Sequence, residues 1–348
     1  MNSEKHILFL TPGFPADEND FNCIPPLQDY LIKFNSEYPA VKISVIAFQY
    51  PYRNQKYFWN NIEIYPLNGN NSVFRKLVVW LKAISIAGKI NKFHSVDIIH
   101  SLWLGECTLI GNILSKKFNC PHICTLMGQD VKASNRYLRL SKNERIRIIA
   151  LSQNQSNQFL QLTNRTPEEI IHWGIDDQIF KNAERDIDLL AVGSLIPLKN
   201  YSLLIRLIAE LKKTYSNLKC KLVGAGPELS NLMTLADAND ISGNIKFTGL
   251  LSRQEIFKLM QRSKVFVHPS TFEGSGYVFA EALVNGMNIV SFNVGYAQPH
   301  PKWFIAEDDQ DFIAITKSLL SAELDFDPEN IFPLKETVER YASIYGLK

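Results

Sequence analysis

Two carboxylates stand eight positions apart in the run Pro269-Ser270-Thr271-Phe272-Glu273-Gly274-Ser275-Gly276-Tyr277-Val278-Phe279-Ala280-Glu281-Ala282-Leu283. Ionised carboxylates accept hydrogen bonds from hydroxyl groups, so such a pair suits a ligand rich in hydroxyls, such as a sugar. The glycines between them suggest a second chemistry. Lys264-Val265-Phe266-Val267-His268, just before the run, has a strand's composition, and Tyr277 to Asn285 reads as a helix stopped by Gly286. A strand, a glycine loop and a helix in that order aim free backbone N–H groups, and the positive end of the helix dipole, at whatever sits above the loop. That setting suits a diphosphate. Glu273 is expected in the loop and Glu281 a turn or so into the helix, facing the same crevice. Spacing alone leaves open a glycine loop that binds nothing.

These residues need a scaffold, and the composition bounds it. At 348 residues the chain is long for one core and suits two domains. The formal net charge is only +2, so nothing points to nucleic acid, and no apolar run is long enough to span a bilayer. Met1-Asn2-Ser3-Glu4-Lys5-His6 leads straight into Ile7-Leu8-Phe9-Leu10 without a secretory leader's pattern, so a cytoplasmic chain, peripheral to the membrane at most, is expected. The five cysteines form no C-x-x-C pair and read as buried thiols. Cys120, His122 and Cys124 make a poor metal site because structural zinc normally needs four convergent ligands.

From Ile7 onward short apolar runs alternate with longer amphipathic ones, the pattern of parallel sheets covered by helices. Strands are expected at Ile7–Leu10, Lys42–Phe48, Val96–His100, His122–Leu126 and Ile146–Leu151, with Ser152 capping the next helix. A second set is expected at Asp188–Val192, Cys220–Val223, Asn244–Thr248, Val265–His268 and Ile289–Phe292, separated by helices such as Tyr201–Lys213 and Arg253–Arg262. Ser252-Arg253-Gln254-Glu255 has the capping-box spacing and is assigned to structure alone. Asn68-Gly69-Asn70-Asn71-Ser72 is expected to be a loose loop. Arg136, Arg139, Lys142 and Arg145 recur every three residues, which a solvated helix face explains as well as a site for an anionic acceptor. Phe74 to Lys92 reads as a basic, aromatic-bearing amphipathic helix, taken as an ordinary domain helix in preference to one resting weakly on an anionic membrane.

Several of these segments together resemble the retaining glycosyltransferases of the large GT-B family 4. The run from Glu273 to Glu281 looks like that family's E-x7-E signature, and Leu190-Ala191-Val192-Gly193-Ser194-Leu195 through Lys199-Asn200 resembles its first donor-domain turn and phosphate-binding lysine. Leu222-Val223-Gly224-Ala225-Gly226-Pro227 resembles the G-x-G-P turn, Phe247-Thr248-Gly249-Leu250 the loop bordering the nucleobase, and Asn293-Val294-Gly295 the glycine after the next strand. The first half matches more loosely, through Thr11-Pro12-Gly13-Phe14-Pro15, Met127-Gly128-Gln129-Asp130 and the hinge-like Trp173-Gly174-Ile175-Asp176 to Phe180.

The resemblance implies two Rossmann-like, doubly wound parallel-sheet domains facing a central cleft. An acceptor-binding domain would span residues 1–178, a donor-binding domain 179–326, and a terminal helix in 327–348 would cross back to the first domain. It implies Glu273 and Lys199 as catalytic residues. Donor and acceptor contacts would come from Gly13, Asp130, Gly193, Ser194, Leu250, Gly274, Ser275, Gly276, Tyr277, Val278 and Glu281, with no cofactor and no metal. The implied activity is sugar transfer from a nucleoside diphosphate sugar to a hydroxyl acceptor, in glycan or surface polysaccharide synthesis.

Two departures open a rival reading. Ser194 stands where the family usually has arginine beside the diphosphate, and Met127 where it has histidine. Serine donates a hydrogen bond without offsetting a phosphate's charge, so a degenerate relative that binds without turnover stays open, as does a nucleotide-sugar epimerase. A two-carboxylate glycosidase does not need a diphosphate-shaped loop, and an NAD dehydrogenase would carry G-x-G-x-x-G after its opening strand.

Overall fold

The computed structural model describes residues 5–21, 23–177 and 183–347. The chain forms two α/β units, one comprising the residues up to Gly174 together with those from Leu334 onward, the other Ile175–Pro333. The expected boundary between residues 178 and 179, and Phe180 of the hinge-like segment, lie outside the described residues.

In the first unit the strands are β1 (His6–Gly13), β2 (Lys42–Tyr50), β3 (Tyr57–Trp59), β4 (Ile62–Pro66), β5 (Ile98–Leu102), β6 (His122–Thr125), β7 (Ile146–Ala150) and β8 (Glu169–Ile170). They lie side by side as β3-β4-β2-β1-β5-β6-β7-β8. Every neighbouring pair is parallel except β3 with β4. β3 and β4 were not expected from the sequence. They form a hairpin whose two turn residues, Asn60 and Asn61, are both left-handed (φ 44° and 64°), as a tight turn matching strand twist requires. The helices are α1 (Pro25–Glu37), α2 (Lys76–Phe93), α3 (Glu106–Phe118) and α4 (Gln153–Thr163), the last capped by the Ser152 side chain as expected.

The Asn68–Ser72 loop is not loose. Gly69 and Asn70 donate backbone N–H groups to the carbonyls of Phe48 and Gln49 at 2.9 and 3.1 Å, and the Gln49 side chain accepts from Asn71 at 2.9 Å. The loop is thereby pinned to the end of β2. Arg136, Arg139 and Lys142 fall in a 3-10 helix over Arg136–Lys142, where side chains three apart share one face.

The second unit's strands are β9 (Ile187–Val192), β10 (Cys220–Val223), β11 (Ile245–Gly249), β12 (Ser263–His268), β13 (Asn288–Phe292) and β14 (Trp303–Ala306), ordered β11-β10-β9-β12-β13-β14 and parallel throughout. Strand order reverses beside β9, so loops leaving β9 and β12 diverge and open a crevice at the strands' C-terminal ends. The helices are α5 (Tyr201–Lys212), α6 (Leu229–Ala238), α7 (Arg253–Gln261), α8 (Tyr277–Val284) and α9 (Asp309–Ser321). Leu203, Leu204, Leu207 and Leu211 give α5 an apolar stripe that packs on Leu189, Ala191, Leu222 and Val265 of the sheet. Each such buried side chain contributes roughly 1.5–3 kcal/mol, which fixes the strand ends that carry the site.

The last helix, α10 (Leu334–Ile344), belongs to the first unit and packs on α1. Tyr341 and the following Tyr345 are buried among Tyr30, Phe34, His100 and Trp173, with Trp173 stacked on Tyr341 at 5.6 Å. Trp173, in the hinge-like segment, is thus a core aromatic beneath α10.

Candidate active site

The second unit brings most of the sequence-derived candidates to the C-terminal ends of its strands. After β9 the chain turns at Gly193 and after β10 at Gly224. A Cβ on Gly224 would sit 1.9 Å from the Gly193 carbonyl oxygen, and one on Gly226 would sit 2.3 Å from that of Leu195, so only glycine lets the two turns interlock. Backbone bonds close the junction: Gly193 N–H donates to Val223 at 3.0 Å and Leu195 N–H to Ala225 at 2.9 Å. Tyr201, at the start of α5, fills the space against Gly193, where a Cβ would meet its hydroxyl at 2.7 Å. Ser194 is exposed at the turn.

Lys199 ends a 3-10 turn over Pro197–Lys199, and its ammonium pairs with Glu273 Oε1. The same carboxylate oxygen lies 2.7 Å from Nε2 of His268, the last residue of β12. Burial keeps His268 below the ordinary histidine range, so it is neutral at physiological pH. An ionised carboxylate only accepts, so the neutral ring carries its proton on Nε2. Burial also pushes the Glu273 carboxyl up, but the His268 hydrogen bond and the Lys199 charge outweigh it and hold it down at about 2. Glu273 is therefore a fixed anion between a neutral donor and a cation, and neither its charge nor its position leaves it free to act as a general acid at neutral pH.

The loop after Glu273 is held from below. Gly295 is left-handed (φ 55°), and a Cβ there would meet the Ser275 carbonyl at 2.3 Å and the Glu273 Cβ at 2.9 Å. The next residue, Tyr296, donates its N–H to that Ser275 carbonyl at 2.8 Å. Gly276 is left-handed too (φ 71°) and ends the loop at the N-terminus of α8. The backbone around Ser275, Gly276, Tyr277 and Val278 is thus presented at a helix N-terminus, a local setting that favours anions. Gly274, Gly276 and Tyr277 are buried, while Ser275 and Val278 are half-buried.

Glu281 is held by a separate cation. Arg253 Nε donates to Glu281 Oε1 at 2.9 Å, and Arg253 Nη2 donates to the Tyr277 hydroxyl at 3.2 Å. The capping box at Ser252 and Glu255 forms as expected, yet Arg253 inside it reaches across to the site. Sequence reading missed Arg253 and His268. Arg253 meets Glu281 from 28 positions away, through tertiary packing, and His268, five positions before Glu273, reads in the sequence only as the last residue of a strand. Leu250 follows β11 and is exposed. A hollow of about 570 Å³ beside Lys219, Lys221 and Lys246 lies at the opposite, N-terminal ends of β10 and β11.

Gly13 and Asp130 lie in the first unit. Gly13 ends β1. The Asp130 carboxylate is buried and accepts backbone N–H groups of Leu104 at 2.8 Å and Gly128 at 2.7 Å, with Met127 N–H at 3.2 Å. It organises the loops after β5 and β6. Burial raises its pKa against these bonds, which lower it. A hollow of about 470 Å³ opens beside it, lined by Gln49, Trp103, Glu106, Asp130, Asn135 and Tyr137. Among the described residues no cluster of His, Cys, Asp and Glu is arranged to hold a metal ion, and no helix is long and apolar enough to cross a membrane.

Residues 175–300 match the family model for glycosyl transferases group 1. An uncharacterized glycosyltransferase of Methanocaldococcus jannaschii is 28% identical over 230 residues, 64% of this chain and 63% of that protein. One from Bacillus subtilis is 31% identical over 123 residues, 34% of each chain. The match thus spans less than two thirds of the length of these curated relatives. In fold, the Anabaena protein HepE, crystallised with UDP and glucose, superposes with a TM-score of 0.70 at 18% identity, covering 99% of this chain and 100% of that one. The sucrose-phosphate synthase of Thermosynechococcus elongatus gives a TM-score of 0.75 at 13% identity, covering 99% and 98%. In sequence through its second unit, and in fold through both, the chain resembles the group 1 glycosyltransferases of GT-B architecture.

Proposed function

We propose that the chain is a retaining, metal-independent glycosyltransferase that moves a sugar from a nucleoside diphosphate sugar to a hydroxyl acceptor in glycan synthesis. The observation that carries this reading is the Lys199–Glu273–His268 cluster beside the Gly276 opening of α8. A fixed carboxylate, a cation and a helix N-terminus share one strand edge. The crystallised neighbour with UDP and glucose supports a sugar nucleotide as donor.

In this reading the Lys199 ammonium turns from Glu273 toward the diphosphate and offsets the negative charge that grows as the glycosidic bond to the leaving phosphate breaks. Backbone N–H groups at α8 share that load, so no cation is required. Glu273, kept ionised, accepts hydroxyls of the transferred sugar, and Glu281, oriented by Arg253, accepts those of the ribose. The acceptor hydroxyl attacks from the face the diphosphate leaves, and its proton passes to the departing phosphate oxygen. The protein supplies position and charge rather than a dedicated base.

Ser194 favours a second reading, a relative that binds the donor without turnover, because the exposed serine adds no charge beside the phosphates. One experiment separates the two. A thermal-shift screen of nucleoside diphosphate sugars is run on the chain and on Lys199→Ala and Glu281→Ala, and the stabilising donor is then incubated in EDTA with a panel of sugar and polyol acceptors. The proposal expects a shift that shrinks in both variants, release of nucleoside diphosphate, and a product that keeps the donor's anomeric configuration by NMR. Equal shifts in all three proteins would overturn the site, and binding without release would establish the second reading.

A further inference from the structure

The helix α2 and the 3-10 turn over Val73–Arg75 before it present an apolar face to solvent. Phe74 is 97% exposed, Val73 80%, Leu77 64%, Leu81 60% and Val78 51%. At 100° per residue Leu77, Val78 and Leu81 point away from Val79, Ala83 and Ala87, which are buried in the core. Folding therefore leaves this second apolar stripe uncovered, although contiguous exposed apolar surface ordinarily marks an interaction site.

The charge around the stripe is of one sign. Residues 64–96 hold Arg75, Lys76, Lys82, Lys89 and Lys92 and no Asp or Glu. Arg75, Lys82, Lys89 and Lys92 are exposed, and from α3 the exposed Lys117 brings its ammonium to Gly88 of α2, where a Cβ would lie 3.9 Å from it. Glu106 of α3, which approaches the helix, is taken up by Lys76 and by the Trp80 indole N–H at 2.8 Å. At 100° per residue Lys76 lies about 100° or more round the helix from Leu77 and Leu81, and Trp80 stands between Lys76 and Leu77 at the border of the stripe. An apolar strip rimmed by lysine and arginine matches the boundary between acyl chains and anionic headgroups. A second protein surface would need acidic groups to pair with the rim as well as an apolar patch to meet the strip.

We infer that the face formed by Val73, Phe74, Leu77, Val78 and Leu81, rimmed by Arg75, Lys82, Lys89 and Lys117, docks on an anionic lipid surface. A basic amphipathic segment without a second signal binds membranes weakly, which is why the sequence alone favours an ordinary domain helix. The structure supplies both signals: apolar side chains that are half to almost wholly exposed, and a basic rim drawn from a segment, residues 64–96, that holds no Asp or Glu. Glu106 also lines the first unit's 470 Å³ hollow, so docking through α2 would bring that hollow close to the lipid headgroups. The docking itself does not depend on the proposed transfer.

The test is co-sedimentation of the full chain with sucrose-loaded vesicles of phosphatidylcholine alone or mixed with phosphatidylglycerol, without any sugar nucleotide. The chain should partition onto the anionic vesicles, lose binding as salt rises, and bind neutral vesicles only weakly. Phe74→Ser with Leu81→Ser should lower anionic partitioning by about tenfold or more, and Arg75→Glu with Lys82→Glu should do the same at low salt. Both pairs are exposed, so unchanged circular dichroism and melting temperature check that they fold. Equal partitioning of the chain and Phe74→Ser/Leu81→Ser would overturn the inference, as would no binding to anionic vesicles. A concentration-dependent dimer by light scattering, abolished by Phe74→Ser/Leu81→Ser and without vesicle binding, would assign the face to a second copy of the chain instead.

Discussion

Among individual residues, what matters is which charges are fixed and which can be redirected. Lys199 and Glu273 are both largely buried, and a buried pair of this kind is poor as a source of stability, because desolvation offsets much of its attraction. It is better suited to a site that exchanges partners. Replacing Lys199 with Ala should lower the transfer rate by about 10²–10³-fold, the usual loss when one charge-stabilising group is removed. Arg253→Ala should instead raise the donor KM by about tenfold with kcat little changed, since it acts through Glu281 on groups far from the bond being broken. Steady-state kinetics of the two variants check this, and identical effects on kcat and KM would contradict the division of roles. Glu273 makes a stability prediction too. Its carboxyl lies at about 2 in the folded chain against 4.5 unfolded, so its contribution is complete above pH 4.5 and is lost as pH falls toward 2. The gap in urea midpoint between the chain and Glu273→Gln should therefore narrow between pH 5 and pH 3.

Among the elements, the Glu273–Gly276 loop depends on one supporting turn. Gly295 lies under Ser275 with a left-handed backbone, so Gly295→Ala both strains its own φ and drives a methyl group into the Ser275 carbonyl. Left-handed strain alone costs about 1–2 kcal/mol. The variant should lose at least that in a denaturant titration and should lose donor affinity as well, because the backbone at the start of α8 shifts with Ser275. The capping box offers a control on the same scale. Ser252→Ala should cost about 1 kcal/mol by removing the N-cap of α7, with a smaller effect on donor binding transmitted only through Arg253. Isothermal titration with the donor found by the thermal screen ranks the two, and a larger affinity loss in Ser252→Ala would contradict the loop's support by Gly295.

For the molecule as a whole, histidine burial sets an acid limit. His100 and His122 are fully buried in the first unit, His100 between the Tyr345 and Thr125 hydroxyls and His122 against Ser101. Burial lowers both to about 3, and His172 of the same unit to about 4. Below pH 6.5 the unfolded chain takes up these protons and the folded chain does not, so stability must fall as pH falls. Each of the two should cost about 1.4 kcal/mol per pH unit from 6.5 down toward 4. Asp130, raised by burial, works the other way, as one group against several. Urea midpoints between pH 7 and pH 4.5 should decline steadily, and amide exchange should open peptides of the first unit before those of the second. A flat stability profile over that range would rule the argument out.

The sequence alone carried the alternation of strands and helices, the two-sheet class, the glycine turns after β9 and β10, and the loop between Glu273 and Glu281. All of these rest on local patterns: period-two and period-3.6 burial, caps, and glycines where no Cβ fits. The hairpin of β3 and β4 escaped because its strands are short and its turn is Asn-Asn without glycine. Tertiary structure alone decided that His268 and Lys199 converge on one oxygen of Glu273, that Arg253 orients Glu281, and that Asp130 bonds to main-chain groups. It also decided that Leu77, Val78 and Leu81 on the outer face of α2 stay exposed. The contacts of Lys199 with Glu273, Arg253 with Glu281 and Leu104 with Asp130 join residues tens of positions apart, and a local pattern records which face a side chain takes but not which distant partner the packing brings to it.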